Sequence, residues 1–159
     1  MKFVADGMLG KLTRWLRMIG NDVEYSAKFN DTELMEIAEK EKRVLLTRDL
    51  ELLQRCVSKG IEVFYVEGIS EAERLAELAE RFKLPLTIDL KISRCPKCNT
   101  RLRPTQKGMI ADKVEPKTYA HYNEFWLCPG CGQIYWQGAH WDNIRATLLE
   151  AEKNLRRQN

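Results

Sequence analysis

Over roughly its first 90 residues the chain alternates short apolar runs with amphipathic stretches four times, and that rhythm leaves few folds open to it. KFVA (2–5), DVEYS (22–26), RVLLT (43–47) and IEVFYVEG (61–68) read as strands. After the first, DGMLGKLTRWLRMIG sets Met8, Leu12, Trp15, Leu16 and Ile19 at helical spacing, and Gly20 follows where a left-handed cap is expected. FNDTELMEIAEKEK, DLELLQRCVSKG and SEAERLAELAERFKL supply three more helices. Asn30 with Glu33, and Ser70 with Glu73, have the spacing of capping boxes, and Gly60 and Pro85 mark stops. Repeated strand–helix units predict an α/β fold, a parallel sheet with helices on both faces.

The rest of the chain has a different character. Four of the five cysteines and three of the four tryptophans lie after residue 84. Helical periodicity returns only in WDNIRATLLEAEKNLRRQ. The boundaries this predicts are 1–92 for the α/β domain, 93–140 for a small cysteine-bearing β subdomain and 141–159 for a C-terminal helix. No apolar run approaches the ~20 residues of a membrane span. The N-terminal segment lacks the apolar core of a secretory signal, so a cytoplasmic protein is expected.

Cys95-Pro-Lys-Cys98 and Cys128-Pro-Gly-Cys131 form two C-x2-C knuckles with 29 residues between them. Two thiolates per knuckle complete a tetrahedral four-sulfur zinc site, a closed and therefore structural one. The spacer is longer than in a short ribbon, and a β-hairpin extension would absorb it. A pair of disulfides is the alternative, disfavoured in a reducing compartment. Cys56, on the third helix, reads as a small buried hydrophobe.

Acids gather where strands end. Asp6 follows the first strand, Asp31 opens the helix after the second, and Asp49 follows the third. In an open parallel sheet ligands bind at that pole, near the point where strand order reverses. If the first and third strands are neighbours, Asp6 and Asp49 face one another there. Asp22 precedes its strand and belongs to the opposite pole, while Glu67 is a possible fourth acid. Converging carboxylates suit Mg²⁺ or Mn²⁺, ions able to assist phosphodiester hydrolysis. Helix capping explains any one of these acids alone.

Cations accompany them. Lys11, Arg14 and Arg17 fall in one arc of the first helix, and Arg48 abuts Asp49, as a substrate carrying phosphates would need. A solvated helix face is the plainer alternative for the helical three. Residues 1–92 hold 15 Lys and Arg against 17 Asp and Glu, whereas residues 93–159 hold 11 against 6. The basic excess lies with RCPKCNTRLRPTQKG and the aromatics of TYAHYNEFW and IYWQGAHW. Charge interleaved with rings suits single-stranded RNA. For Trp126 and Trp136 a place in the subdomain's own core is the competing expectation, whereas Tyr119, Tyr122 and His140 are more open.

VADGMLGKLTRWLRMIGND, LLTRD, RCPKCNTRLRP and CPGCGQIYWQGAHW together resemble the Mut-seven C-terminal RNase domain family, from Lys2 to about Asp142. The resemblance implies a PIN-like, Rossmann-like fold joined to a zinc ribbon, and a metal-dependent ribonuclease. It carries the acidic role onto Asp6, Asp31 and Asp49, and the zinc role onto Cys95, Cys98, Cys128 and Cys131. An RNA-binding adaptor that kept the fold without catalysis is the alternative. A phospho-acceptor domain fits less well, because Ala5 stands where an acid pair would begin.

Overall fold

In the computed structural model, which describes residues 1–159, the first half is a four-stranded parallel sheet in the order β2-β1-β3-β4. Its strands are β1 (Lys2–Ala5), β2 (Asp22–Tyr25), β3 (Val44–Thr47) and β4 (Val63–Tyr65). The connecting helices are α1 (Gly10–Met18), α2 (Asp31–Glu41) and α3 (Leu50–Lys59), with α4 (Glu71–Phe82) after the last strand. A 3-10 turn, Gly7–Leu9, leads into α1.

Side-chain alternation along the strands makes two cores. Phe3, Ala5, Val44 and Leu46 point to one face, where Leu9, Leu12 and Leu16 of the first turn and helix meet Leu75, Leu78 and Ala79 of α4. Val4 and Leu45 point to the other, against Leu34, Met35 and Ala38 of α2 and Leu52 and Cys56 of α3. A strand buried on both faces reads as a continuous apolar run, and VLLT is buried throughout. Cys56 is the small buried hydrophobe the sequence indicates.

Local signals act where the sequence puts them. The Asn30–Glu33 and Ser70–Glu73 capping boxes are both closed. Gly20 and Gly60 take left-handed conformations at φ 101° and 72°. Lys42 and Lys83 end α2 and α4 in the same conformation, without a glycine to signal it. Met8 departs from the expected apolar stripe. It lies in the 3-10 turn and is 69% exposed.

The second half holds a three-stranded antiparallel sheet, β5 (Arg103–Thr105), β6 (Phe125–Leu127) and β7 (Ile134–Tyr135). Strands β5 and β6 do form a hairpin, yet its connection is not a plain β extension. It contains a 3-10 turn at Lys107–Ile110 and a short helix, α5 (Pro116–His121). These fold over a core of Ile110, Phe125 and Ile134, with Tyr119, Tyr122 and Trp136 packed against it.

The C-terminal helix α6 (Trp141–Gln158) returns to the first domain. It packs along α4, and its Leu148 and Ala151 belong to the large core beneath α1 and α4. The segment 141–159 is thus a component of the α/β layer, although it follows the ribbon in sequence. No helix is long and apolar enough to cross a membrane.

This packing makes a direct prediction. Leu148→Ala should lower the stability of the whole chain by about 2–4 kcal/mol, the usual range for removing a buried leucine side chain. In urea titration the main transition should move to lower denaturant. An α6 that were only an appendage would leave that midpoint in place.

Candidate functional site

Pairing of β1 with β3 puts Ala5 beside Leu46, so the two strands end together. Asp6 and Asp49 emerge at that shared end, and the backbone N–H of Asp6 still bonds to Leu46 O at 3.0 Å. Thr47 stands between the carboxylate and the next turn. Its hydroxyl donates to Asp6 Oδ2 at 2.7 Å and accepts the Asp49 N–H at 3.0 Å. Asp6 Oδ1 also accepts from Met8 N, at 2.9 Å. Asp49 Oδ1 accepts from Glu51 N and Leu52 N at 2.8 and 3.3 Å, which caps α3. Capping is therefore part of what both aspartates do.

The turn after β1 is tight for a steric reason. A Cβ on Gly10 would sit 2.8 Å from the Tyr25 hydroxyl, which itself donates to Gly7 O at 2.9 Å. The glycines of D-G-M-L-G let β2 close against this turn and hold Asp6 at the pole.

Asp31 sits at the same pole in the first turn of α2, but its Oδ2 lies 3.4 Å from Arg55 Nη1 of α3. Glu67 is exposed, and its backbone N–H donates to Glu77 Oε2. The side chains here do not close into a ready-made ligand shell. The group of metal-capable side chains that does converge is the cysteine quartet.

Cys95, Cys98, Cys128 and Cys131 bring their sulfurs within 4.8 Å of one another. Cys95 and Cys131 Sγ are 3.7 Å apart, Cys98 and Cys128 Sγ 3.3 Å. A tetrahedron with ~2.3 Å zinc–sulfur bonds has edges of about 3.8 Å, so the quartet could hold a zinc ion. Each knuckle turns on a left-handed residue, Asn99 at φ 73° and Gly132 at φ 80°. The Tyr135 hydroxyl reaches Cys95 Sγ at 3.1 Å.

A family model described as the Mut7-C RNAse domain matches residues 1–148. The chain belongs to this family. No curated protein and no solved structure matches it.

Within this Mut7-C chain the cations divide. Lys11 and Arg14 are exposed on α1. Arg17 is not: the expectation that it binds substrate is corrected by its burial, at 5% exposure. Its Nε and Nη2 donate to Val23 O at 3.0 and 2.7 Å, and Nη1 to Pro96 O at 3.0 Å. Burial draws its pKa below the usual arginine value, against the pull of Glu24, Cys95, Cys98 and Asp22. Arg48 is half-buried, and its Nη1 donates to Val66 O and Gly68 O at 2.8 Å each. It braces the β4–α4 loop, where Glu77 accepts from Gly68 N at 2.7 Å. Burial pushes the Glu77 carboxyl up, against two backbone N–H groups that pull it down.

Sequence reading missed three residues. Thr47 looked like the end of an apolar strand, and only the parallel register shows its hydroxyl between Asp6 and Asp49. Asn99 looked like spacer after a knuckle. Its Oδ1 accepts from Val23 N at 3.1 Å and its Nδ2 donates to Asp22 Oδ1 at 2.7 Å. Arg43, at 6% exposure, donates to Phe3 O and Asp22 Oδ1 and closes the strand-entry pole. Burial pushes the Asp22 carboxyl up, yet hydrogen bonds from Arg43 and Asn99 and the charges of Arg43 and Arg94 hold it below its ordinary range. Asp22 thus belongs to the pole opposite the site, as its place at the start of β2 indicates.

Asn99→Gly isolates the docking contact, because glycine keeps the left-handed backbone and removes only the amide. The variant should lose about 1–3 kcal/mol in denaturation, the cost of leaving buried Val23 N–H and Asp22 with fewer partners. Its metal content, read by atomic absorption, should match wild type. Unchanged stability would show that the ribbon docks by other means.

Proposed function

We propose that this chain is a divalent-metal-dependent ribonuclease whose centre lies at the carboxyl ends of β1 and β3. The observation that carries the reading is the Asp6–Thr47–Asp49 linkage, in which one hydroxyl joins the Asp6 carboxylate to the Asp49 backbone N–H at a single strand end. Family membership supports RNA as the substrate class and phosphodiester hydrolysis as the reaction class.

The donor set suits Mg²⁺ or Mn²⁺. These are hard ions that take one or two carboxylates and keep waters. Asp49 Oδ2 has no protein donor, and the remaining lone pairs of Asp6 are available as well. When bound, the ion supplies Lewis-acid stabilisation of phosphate oxygen and a more acidic water. Asp6 and Asp49 would hold it, with Thr47 fixing the Asp6 carboxylate by its donated bond. Asp31 would join only by exchanging its Arg55 partner. Lys11 and Arg14 would bind substrate phosphates, and Arg48 would serve by keeping the rim of the pole in shape. The cysteine quartet would hold one structural zinc ion.

A non-catalytic RNA-binding role is the second reading. It draws on the Asp31–Arg55 pair, which leaves the acids short of a closed set. Labelled single-stranded and structured RNAs, incubated in Mn²⁺, Mg²⁺ or EDTA, separate the two. Wild type should cut only with metal, and Asp49→Asn should be at least ~100-fold slower, a loss of about 2.7 kcal/mol at the transition state. Asparagine caps helices as well as aspartate does, so the fold should persist. Silence from both proteins would favour the binding role, and equal cutting would overturn an Asp49 centre.

For the ribbon, purified protein should carry one zinc per chain. Cys98→Ser should reduce that occupancy and the melting temperature together, since the same loop carries Asn99. A variant that keeps its melting temperature while losing zinc would argue against a structural ion.

A further inference from the structure

A groove of about 230 Å³ runs along the seam where α1, the 88–96 linker, the ribbon and the start of α6 meet. It takes in residues packed against three separate cores. Ile88 and Ile144 belong to the large α/β core, Trp126 and Tyr135 to the core beside the cysteines, and Trp136 to the outer ribbon core. Trp141, half-buried at the start of α6, completes its wall. Three of the chain's four tryptophans line one groove.

The charged side chains that line it have one sign. Arg14 and Arg94 line the groove beside His140, and no Asp or Glu does. Arg94 is committed to Asn99 O, at 2.9 Å. Arg14 is exposed and enters no ion pair. No side chain caps the N-terminus of α6, and Asp142 in its first turn lies outside the groove lining. Lys11 lies one turn nearer Asp6, about 4.5 Å back along the helix axis from Arg14 at 1.5 Å per residue. Exposed cations therefore lead from the acidic pole towards the groove.

We infer that this groove receives an unpaired nucleobase of single-stranded RNA, with the adjoining phosphate on Arg14. The inference rests on the ribonuclease reading for its substrate class. The volume is small beside the roughly 300–1,000 Å³ of drug-sized ligand sites, which suits one planar ring system. Indole walls offer stacking to any base, and the cationic rim selects an anionic ligand over an apolar peptide. A base paired in a duplex is not free to enter.

The test uses full-length Asp49→Asn protein, so that RNA survives, and tryptophan fluorescence as the readout. A ten-nucleotide single-stranded oligo(A) should quench saturably, while an RNA duplex of equal length should not. Trp141→Ala should weaken oligo(A) binding roughly tenfold. Arg14→Ala should weaken it and reduce the slope of log K against log salt by about 0.7. Lys59→Ala, at the far end of α3, should bind as the parent does. Arg14 is exposed, so its variant keeps the test valid if Trp141→Ala fails to fold. Affinity and salt slope unchanged in Arg14→Ala would overturn the inference, as would equal quenching by duplex. Saturable binding of AMP without binding of oligo(A) would overturn it too, by giving the groove to a free nucleotide. Metal-dependent cleavage by wild type beside unaltered groove variants removes this site and leaves the nuclease. Groove binding without cleavage does the reverse.

Discussion

β1 is held on both sides at once. Phe3 lies opposite Val23 on one flank and opposite Val44 on the other, with all strands parallel. That placement puts the reversal of strand order beside β1, and the rest follows from it. Odd residues of β1 go to the α1, α4 and α6 layer, and Val4 goes to the α2 and α3 layer. The carboxyl ends of β1 and β3 coincide, so the residues after them share one small patch of surface. Had β1 and β3 been separated by another strand, ~4.8 Å of sheet would have been added between Asp6 and Asp49, beyond the reach of one threonine hydroxyl.

Strand β2 lies at the edge of the sheet, and an edge strand offers unpaired backbone groups. Here both groups that Val23 turns outward are taken by side chains. Asn99 accepts its N–H, and Arg17 donates twice to its carbonyl. Asn99 of the ribbon and Arg17 of α1 thus stand in together for a missing neighbour strand. Arg17 also reaches Pro96 O inside the first knuckle, so α1, β2 and the cysteine loop meet at a single guanidinium. An exposed-face role for Arg17 and this role exclude each other. A guanidinium with its donors spent on buried carbonyls has little left to offer a phosphate.

What the sequence made legible was local. Strand runs, capping boxes, the glycine stops and the paired knuckles all depend on residues a few positions apart, and each appears where its pattern lies. What it concealed depends on partners far along the chain. Arg17 sits on the arc of α1 opposite the main apolar stripe, and its end of that arc is covered by Val23 of β2 and, about 80 residues later, by Pro96 of the ribbon. Helix α5 is too short to show a period, and its packing surface is the ribbon's own outer core. Helix α6 has an apolar stripe, but nothing in the sequence says that the stripe returns to α4. Thr47 was invisible because one hydroxyl in an apolar strand gains meaning only from the register of its neighbour.

The capping and catalytic readings of the aspartates need not compete. A carboxylate has about four lone-pair positions, and a cap uses one or two of them. Asp49 spends Oδ1 on two backbone N–H groups and leaves Oδ2 open. Asp6 divides its bonds between Met8 N and Thr47, one to each oxygen. Such bonds fix the rotamer of each side chain, which would lower the ordering cost of binding an ion there. Asp31 lacks this arrangement. Asn30 caps α2 in its place, and its carboxylate is turned to Arg55 instead. Of the three aspartates it is therefore the least fixed in place, and any part it took in a metal site would depend on displacing the arginine.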